Sequence, residues 1–168
     1  MPDLLKHTRG PPKDTEGYVV RFKNGLRLKL KGAEYCRVHA TISRCTPLAI
    51  WDILNAGGEP ADMRRELPEE FWSDFDDIVR ILTERQTAIE TRVRAAAASV
   101  AHLSDKELGL SLGEVPLDVR PFLFGFRKSG GIDGRLRQVM MRAIRPAGNE
   151  LPGYVASYAM GRLMEESG

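Results

Sequence analysis

Between Glu16 and Lys31 the chain reads EGYVVRFKNGLRLKLK. Lysine is scarce, 7 residues against 18 arginines, yet Lys29 and Lys31 stand two apart, a spacing that puts both on one face of a strand. Asn24-Gly25 predicts a two-residue hairpin turn, because a type I′ turn needs positive φ at both central positions. With that turn Val20 pairs with Lys29 and Tyr18 with Lys31. Directly paired residues share a face. Glu16, Tyr18, Val20 and Phe22 then lie with Arg27, Lys29 and Lys31, while Val19, Leu28 and Leu30 turn toward a core. One surface would gather a carboxylate, three cations and two rings. Such a set suits a phosphate-bearing ligand with a planar base: cations for the phosphates, rings for stacking, a carboxylate for a metal or a ribose hydroxyl. It equally suits an exposed hairpin face with ordinary salt bridges, and a bulged three-residue turn would invert the parity.

A second basic stretch holds Arg127, Lys128, Arg135, Arg137, Arg142 and Arg145 against Asp133 alone. Arg135 and Arg142 are seven apart and share one face of a helix, with Leu136, Val139, Ala143 and Ile144 expected toward the core. That face is either a contact for an RNA backbone or a solvated surface. Ser129-Gly130-Gly131 before it reads as a turn, or as a phosphate cradle at the helix start. Cys36 and His39 are three apart on an expected helix, but no further ligand stands near them in sequence to complete a metal site.

These residues need elements to position them. Residues 17–31 alternate as a hairpin, and after Gly32 the period becomes helical, with Tyr35, Val38, Ile42 and Cys45 on one stripe. Pro47 opens a second helix through Leu54, ended by Gly57-Gly58. The longest helix is expected from Pro68 to about residue 101, acidic at its start and basic further on, as the helix dipole favours. Ser104 to Glu107 spells a capping box. Further helices are expected from Pro116 to Phe126, after the Asp133 cap to Arg145, and from Pro152 to Glu166. The fold class is therefore α+β: an N-terminal β-hairpin followed by a mostly α-helical domain, divided as residues 1–45 and 46–168. A lone hairpin is not stable in water, so its apolar face must lie on helices or on other strands.

Composition sets the outer bounds. The 168 residues are 42% hydrophobic and 29% charged, which suits an ordinary globular protein. No apolar run is long enough to span a membrane, and the first residues lack the apolar core of a secretion signal, so a cytoplasmic location without membrane contact is expected. Two cysteines, with no CxxC, fit a reducing compartment and inert or buried thiols. The net charge of +2 hides an asymmetry: residues 1–45 carry 10 basic and 4 acidic side chains, so the hairpin end is the cationic one.

The pair EGYVVRF and RLKLKGAEY, followed by His39, resembles nucleotidyltransferase motifs IV and V of the ATP-dependent RNA ligases of the T-even phage type. The resemblance covers about Thr15 to Ser43; the rest is similar in kind to that family's helical C-terminal domain. It implies that residues 1–45 are the end of a nucleotidyltransferase domain and that the chain takes part in RNA repair. The reaction implied has three steps: a lysine is adenylylated by ATP, AMP passes to an RNA 5′-phosphate, and a 3′-hydroxyl displaces AMP to seal the strand. Lys29 and Lys31 match the catalytic, nucleotide-contacting lysines of motif V. Glu16 matches the glutamate associated with nucleotide and Mg2+, and Arg135 and Arg142 become candidate RNA contacts. The family's nucleophile lies in a KxDG or KxNG motif upstream, and the 15 residues before Glu16 contain neither. The resemblance thus implies a C-terminal fragment or subunit, inactive by itself and needing an N-terminal ligase half in trans. The alternative is a non-catalytic RNA- or phosphate-binding protein derived from a ligase.

Overall fold

The computed structural model describes residues 17–167. Two antiparallel strands, β1 (Gly17–Arg21) and β2 (Arg27–Lys31), are followed by helices and an isolated bridge between Ala147 and Glu150, so the α+β class holds. The helices are α1 (Ala33–Ser43), α2 (Pro47–Asn55), α3 (Ala61–Glu66), α4 (Trp72–Ser99), α5 (Asp105–Ser111), α6 (Arg120–Ser129), α7 (Gly134–Ala143) and α8 (Tyr158–Ser167). Short 3-10 turns precede α4 at Glu69–Phe71 and follow α5 at Leu112–Glu114.

The helix ends follow local chemistry. Ser104 Oγ accepts from the Glu107 amide while the Glu107 carboxylate accepts from the Ser104 amide, a complete capping box. Asp133 Oδ1 accepts from the Leu136 amide at 2.7 Å and opens α7. Gly130, at φ +69°, closes α6 in the left-handed conformation. Helix α8 starts at Tyr158, not at Pro152 as the sequence suggested. Gly153 has φ +90°, which no helix admits, and Ser157 supplies the cap by accepting from the Met160 amide. Helix α3 was not expected: its six residues contain no buried side chain, so it has no apolar stripe to read.

The chain divides into two compact units. Residues 17–46, 61–75 and 156–167 belong to the first, which contains the hairpin. Its buried side chains include Ile42, Cys45, Leu67, Phe71, Phe75 and Met160. The Trp72 indole donates to the Leu67 carbonyl at 3.0 Å, with the Arg64 guanidinium over its ring at 4.2 Å. The Ser157 amide donates to Asp74 Oδ1 at 2.8 Å.

Residues 47–60 and 76–155 form the second unit. Its core runs along α4 through Ile89, Val93, Ala97 and Val100 and joins Leu108, Phe122, Leu123, Leu136 and Met140. Trp51 of α2 donates its indole N–H to the Met141 carbonyl at 2.9 Å, so α2 and α7 are pinned by a buried bond. On α7 the inward residues are Leu136, Met140 and Met141; Val139 and Ala143, expected inside, are exposed. The wheel accounts for Val139, which falls outside the arc fixed by Leu136 and Met140; Ala143 lies on the Leu136 side and is exposed as the last residue of the helix.

Candidate functional site

The hairpin is built in the bulged register, not the two-residue one. The Gly25 amide donates to the Phe22 carbonyl at 3.0 Å and the Phe22 amide to the Leu26 carbonyl at 2.8 Å. Lys23, Asn24 and Gly25 thus form a three-residue loop, with Gly25 at φ +87° and Asn24 Oδ1 accepting from the Leu26 amide. This is the turn-plus-bulge form in which one glycine supplies the left-handed residue. Gly17 pairs with Lys31, Val19 with Lys29, Val20 with Leu28, and Arg21 with Arg27.

The one-residue shift moves every side chain of β1 to the other face relative to β2. Tyr18, Val20 and Phe22 leave the lysines and join Leu26, Leu28 and Leu30. Arg27, Lys29 and Lys31 instead share their face with Arg21, Val19 and Gly17. The expectation that the rings of Tyr18 and Phe22 stand among the lysines is corrected, as is that of an inward Val19, which is 66% exposed. The physical reason is the apolar match. Only an even-sum pairing brings the apolar row of one strand opposite the apolar row of the other, where directly opposed apolar side chains favour the pairing. Arg21 is the cation that a two-residue turn would have placed on the opposite face.

Four cationic side chains therefore alternate along one hairpin face, and all four are exposed. Neither Arg21 nor Arg27 makes a hydrogen bond or ion pair among the described residues. Arg21 and Arg27 are directly opposed across the strands, and like charges so placed repel. Gly17 is a steric necessity. It has φ +151°, and a Cβ there would collide with the Leu30 carbonyl oxygen and lie 2.8 Å from Lys31 Cα. Helix α1 then brings an aromatic group to the end of the face: Lys31 Nζ lies 5.3 Å from the centre of the Tyr35 ring, and Tyr35 meets His39 at 5.7 Å.

Glu16 lies outside the described residues. Among the described residues no group of three His, Cys, Asp or Glu side chains could hold a metal ion, Cys36 and His39 included. Cys36 is exposed and Cys45 buried. Burial, with the charge of Asp74 adding to it, pushes the Cys45 thiol up to about 12, so this sulfur is inert at neutral pH.

The second unit sorts its basic residues into two kinds. Arg127 donates to the carbonyls of Val100 and Leu103 and pairs with Asp105 at 3.0 Å. Arg137 pairs with Glu90 at 3.2 Å, and Arg145 lies 5.4 Å over the Trp51 ring. These three are fastenings. Arg135 and Arg142, with Lys128 on α6, are exposed and make no hydrogen bond or ion pair among the described residues. The expected pair on α7 thus does share an exposed face, with Val139 between them. Among the described residues no helix is long and apolar enough to cross a membrane.

The chain matches no known protein family, no curated protein and no solved structure.

Proposed function

We propose that this chain supplies the phosphate-holding hairpin and the helical RNA-contacting region of an ATP-dependent RNA ligase. Its work would be RNA repair in the cytoplasm, joining a 5′-phosphate to a 3′-hydroxyl. The observation that carries the reading is the row of Arg21, Arg27, Lys29 and Lys31 on one face of a hairpin held by Gly17. Transfer of AMP develops negative charge on phosphate oxygens, and ammonium groups fixed beside them stabilise that charge more in a water-poor site than in bulk water. A compact ammonium suits a crowded phosphorus, whereas the guanidiniums suit the backbone beyond it.

The phosphates of ATP fit this face, with Lys29 and Lys31 as their holders, and ATP would supply the activating AMP. At this face the ring beside a cation is that of Tyr35, next to Lys31. Mg2+ finds no set of three ligands among the described residues, so no step runs through it. The lysine nucleophile would come from outside these residues, since none of the 168 stands in a KxDG or KxNG motif.

One observation favours a second reading, a non-catalytic RNA- or phosphate-binding protein. The true register removes Tyr18 and Phe22 from the cationic face and leaves a surface suited to phosphates more than to a whole nucleotide. The test is to mix the chain with a separately produced adenylation domain carrying the KxDG lysine, ATP, Mg2+ and a 5′-phosphorylated RNA. Sealed product from the mixture, and from neither part alone, supports the ligase. A partner domain that becomes adenylylated while the mixture binds RNA without sealing it gives the second reading instead.

A further inference from the structure

Helices α6 and α7 pack across a cleft of about 460 Å³ lined by Pro121, Gly125, Lys128, Ser129, Asp133, Arg135, Leu136 and Val139, the first four from α6. Pro121, Phe124, Gly125 and Lys128 share one exposed stripe of α6 by their spacing, and Arg135, Val139 and Arg142 share one of α7. Gly125 lets the helices approach: a Cβ there would lie 3.1 Å from Leu136 Cδ1. Pro121, Gly125, Leu136 and Val139 give the cleft an apolar side, with Val139 40% exposed, and Phe124, also 40% exposed, stands outside the lining next to Gly125 on α6. The cleft carries Lys128 and Arg135, with Arg142 farther along the same face of α7, all three without a partner among the described residues, against the single carboxylate of Asp133, which caps α7.

We propose that this cleft takes an unpaired base of single-stranded RNA, with Lys128, Arg135 and Arg142 on the flanking phosphates and Phe124, beside the lining on α6, as a stacking surface for the neighbouring base. The charge is right for a polyanion and wrong for a basic peptide. The apolar walls suit the flat face of a base, which a duplex keeps inside its own stack. Arg135 and Arg142 are about 10 Å apart along the helix axis at the usual rise per residue, a separation that two long side chains can span to neighbouring phosphates. The larger groove along α4 and α5, about 750 Å³, is a poorer host for RNA because Glu107 and Glu114 stand in its wall. The inference rests on RNA being the partner and is independent of the sealing chemistry.

The experiment measures binding without ATP, in a Lys29→Ala/Lys31→Ala background that removes the hairpin lysines. The probes are a short single-stranded RNA, the same RNA annealed to its complement, an abasic strand of equal length, and polyglutamate as competitor. Lys128→Ala/Arg135→Ala/Arg142→Ala is expected to lower the slope of log K against log salt by about 2, at roughly 0.7 for each phosphate no longer neutralised. Phe124→Ala, an exposed position, is expected to weaken single-stranded RNA about fivefold or more and the abasic strand hardly at all. Equal loss for the base-bearing and abasic strands in Phe124→Ala overturns the base pocket. So does an unchanged salt slope in the triple variant, or polyglutamate competing as well as RNA at matched charge. Because the hairpin lysines are already absent, these outcomes do not touch the hairpin's part in sealing, which the mixing experiment above decides separately.

Discussion

Glu90 is the most informative single position for the stability of the second unit. It is 9% exposed, and its carboxylate accepts from Gln86 at 3.1 Å, Arg94 at 3.0 Å and Arg137 at 3.2 Å. Gln86 and Arg94 are on α4 with Glu90, whereas Arg137 reaches it from α7, so the group ties two helices together. Burial pushes its carboxyl upward, but the hydrogen bonds from Gln86, Arg94 and Arg137 outweigh it and hold the group below the usual carboxylate range. Glu90→Gln keeps the volume and removes the charge. Its amide NH2 cannot accept, so one of three donors loses its partner. Hydrogen bonds to a charged group contribute about 1.5–3 kcal/mol. Arg94 and Arg137 are roughly half exposed and regain water when released, which discounts the loss. A net destabilisation of about 1–2 kcal/mol at neutral pH follows. The sign with pH is fixed by the depressed folded-state pKa. The contribution is present above the unfolded value, about 4.3, and disappears as pH falls through the folded value. Urea unfolding followed by circular dichroism at pH 7 and at pH 3 reads both effects: the variant is weaker than wild type at pH 7, and the two converge at pH 3. Equal midpoints at pH 7, or a gap that persists undiminished into acid, would refute the reasoning.

Three further outcomes follow from single residues. Gly17→Ala should unpair the hairpin, because its Cβ collides with β2 backbone; rapid amide exchange at Val20 and Leu28, a hydrogen-bonded pair of this register, is the readout, and wild-type protection contradicts the steric account. In a native protein at pH 8 one thiol, Cys36, should react with a disulfide reagent, and Cys45 should react only after unfolding, because it is buried with its thiol pushed up to about 12. The chain alone should form no covalent adenylate with labelled ATP, and a labelled band at 18.8 kDa on a denaturing gel would show a nucleophile outside any KxDG or KxNG motif.

Helix positions were legible wherever a local signal exists. Pro47, Ser104 and Asp133 mark starts through caps or fixed φ, and the stripe from Phe71 to Val100 is long enough to be read by period alone. Helix α3 was not, because it buries nothing, and the start of α8 was misplaced because Pro152 looked like a first-turn proline when it belongs to a turn around Gly153. The hairpin site was half legible. The lysine pair was visible, but Asn24-Gly25 serves a two-residue and a bulged three-residue turn alike. The deciding signal was the apolar parity of Tyr18, Val20, Phe22, Leu26, Leu28 and Leu30, which is a pattern across both strands and not a motif within either. On α7 the exposed row of Arg135 and Arg142 followed from spacing alone. Which neighbours were already committed, Arg127 to two carbonyls and Arg137 to Glu90, depends on partners distant in sequence that no local pattern encodes.

The central claim is that the cationic hairpin face acts on the phosphate while the helical region holds the RNA. The direct measurement is the sealing rate at saturating RNA, with an adenylated partner domain, for Lys29→Ala and Lys31→Ala beside Arg135→Ala and Arg142→Ala. Loss of one charge-stabilising group should slow sealing by roughly a hundred- to a thousandfold, or about 3–4 kcal/mol in barrier. The arginine variants should seal at the wild-type rate once RNA is saturating, and show their defect only as weaker, less salt-dependent binding. Normal sealing by both lysine variants, with the arginine variants dead at saturating RNA, would contradict the account and place the chemistry in the helices.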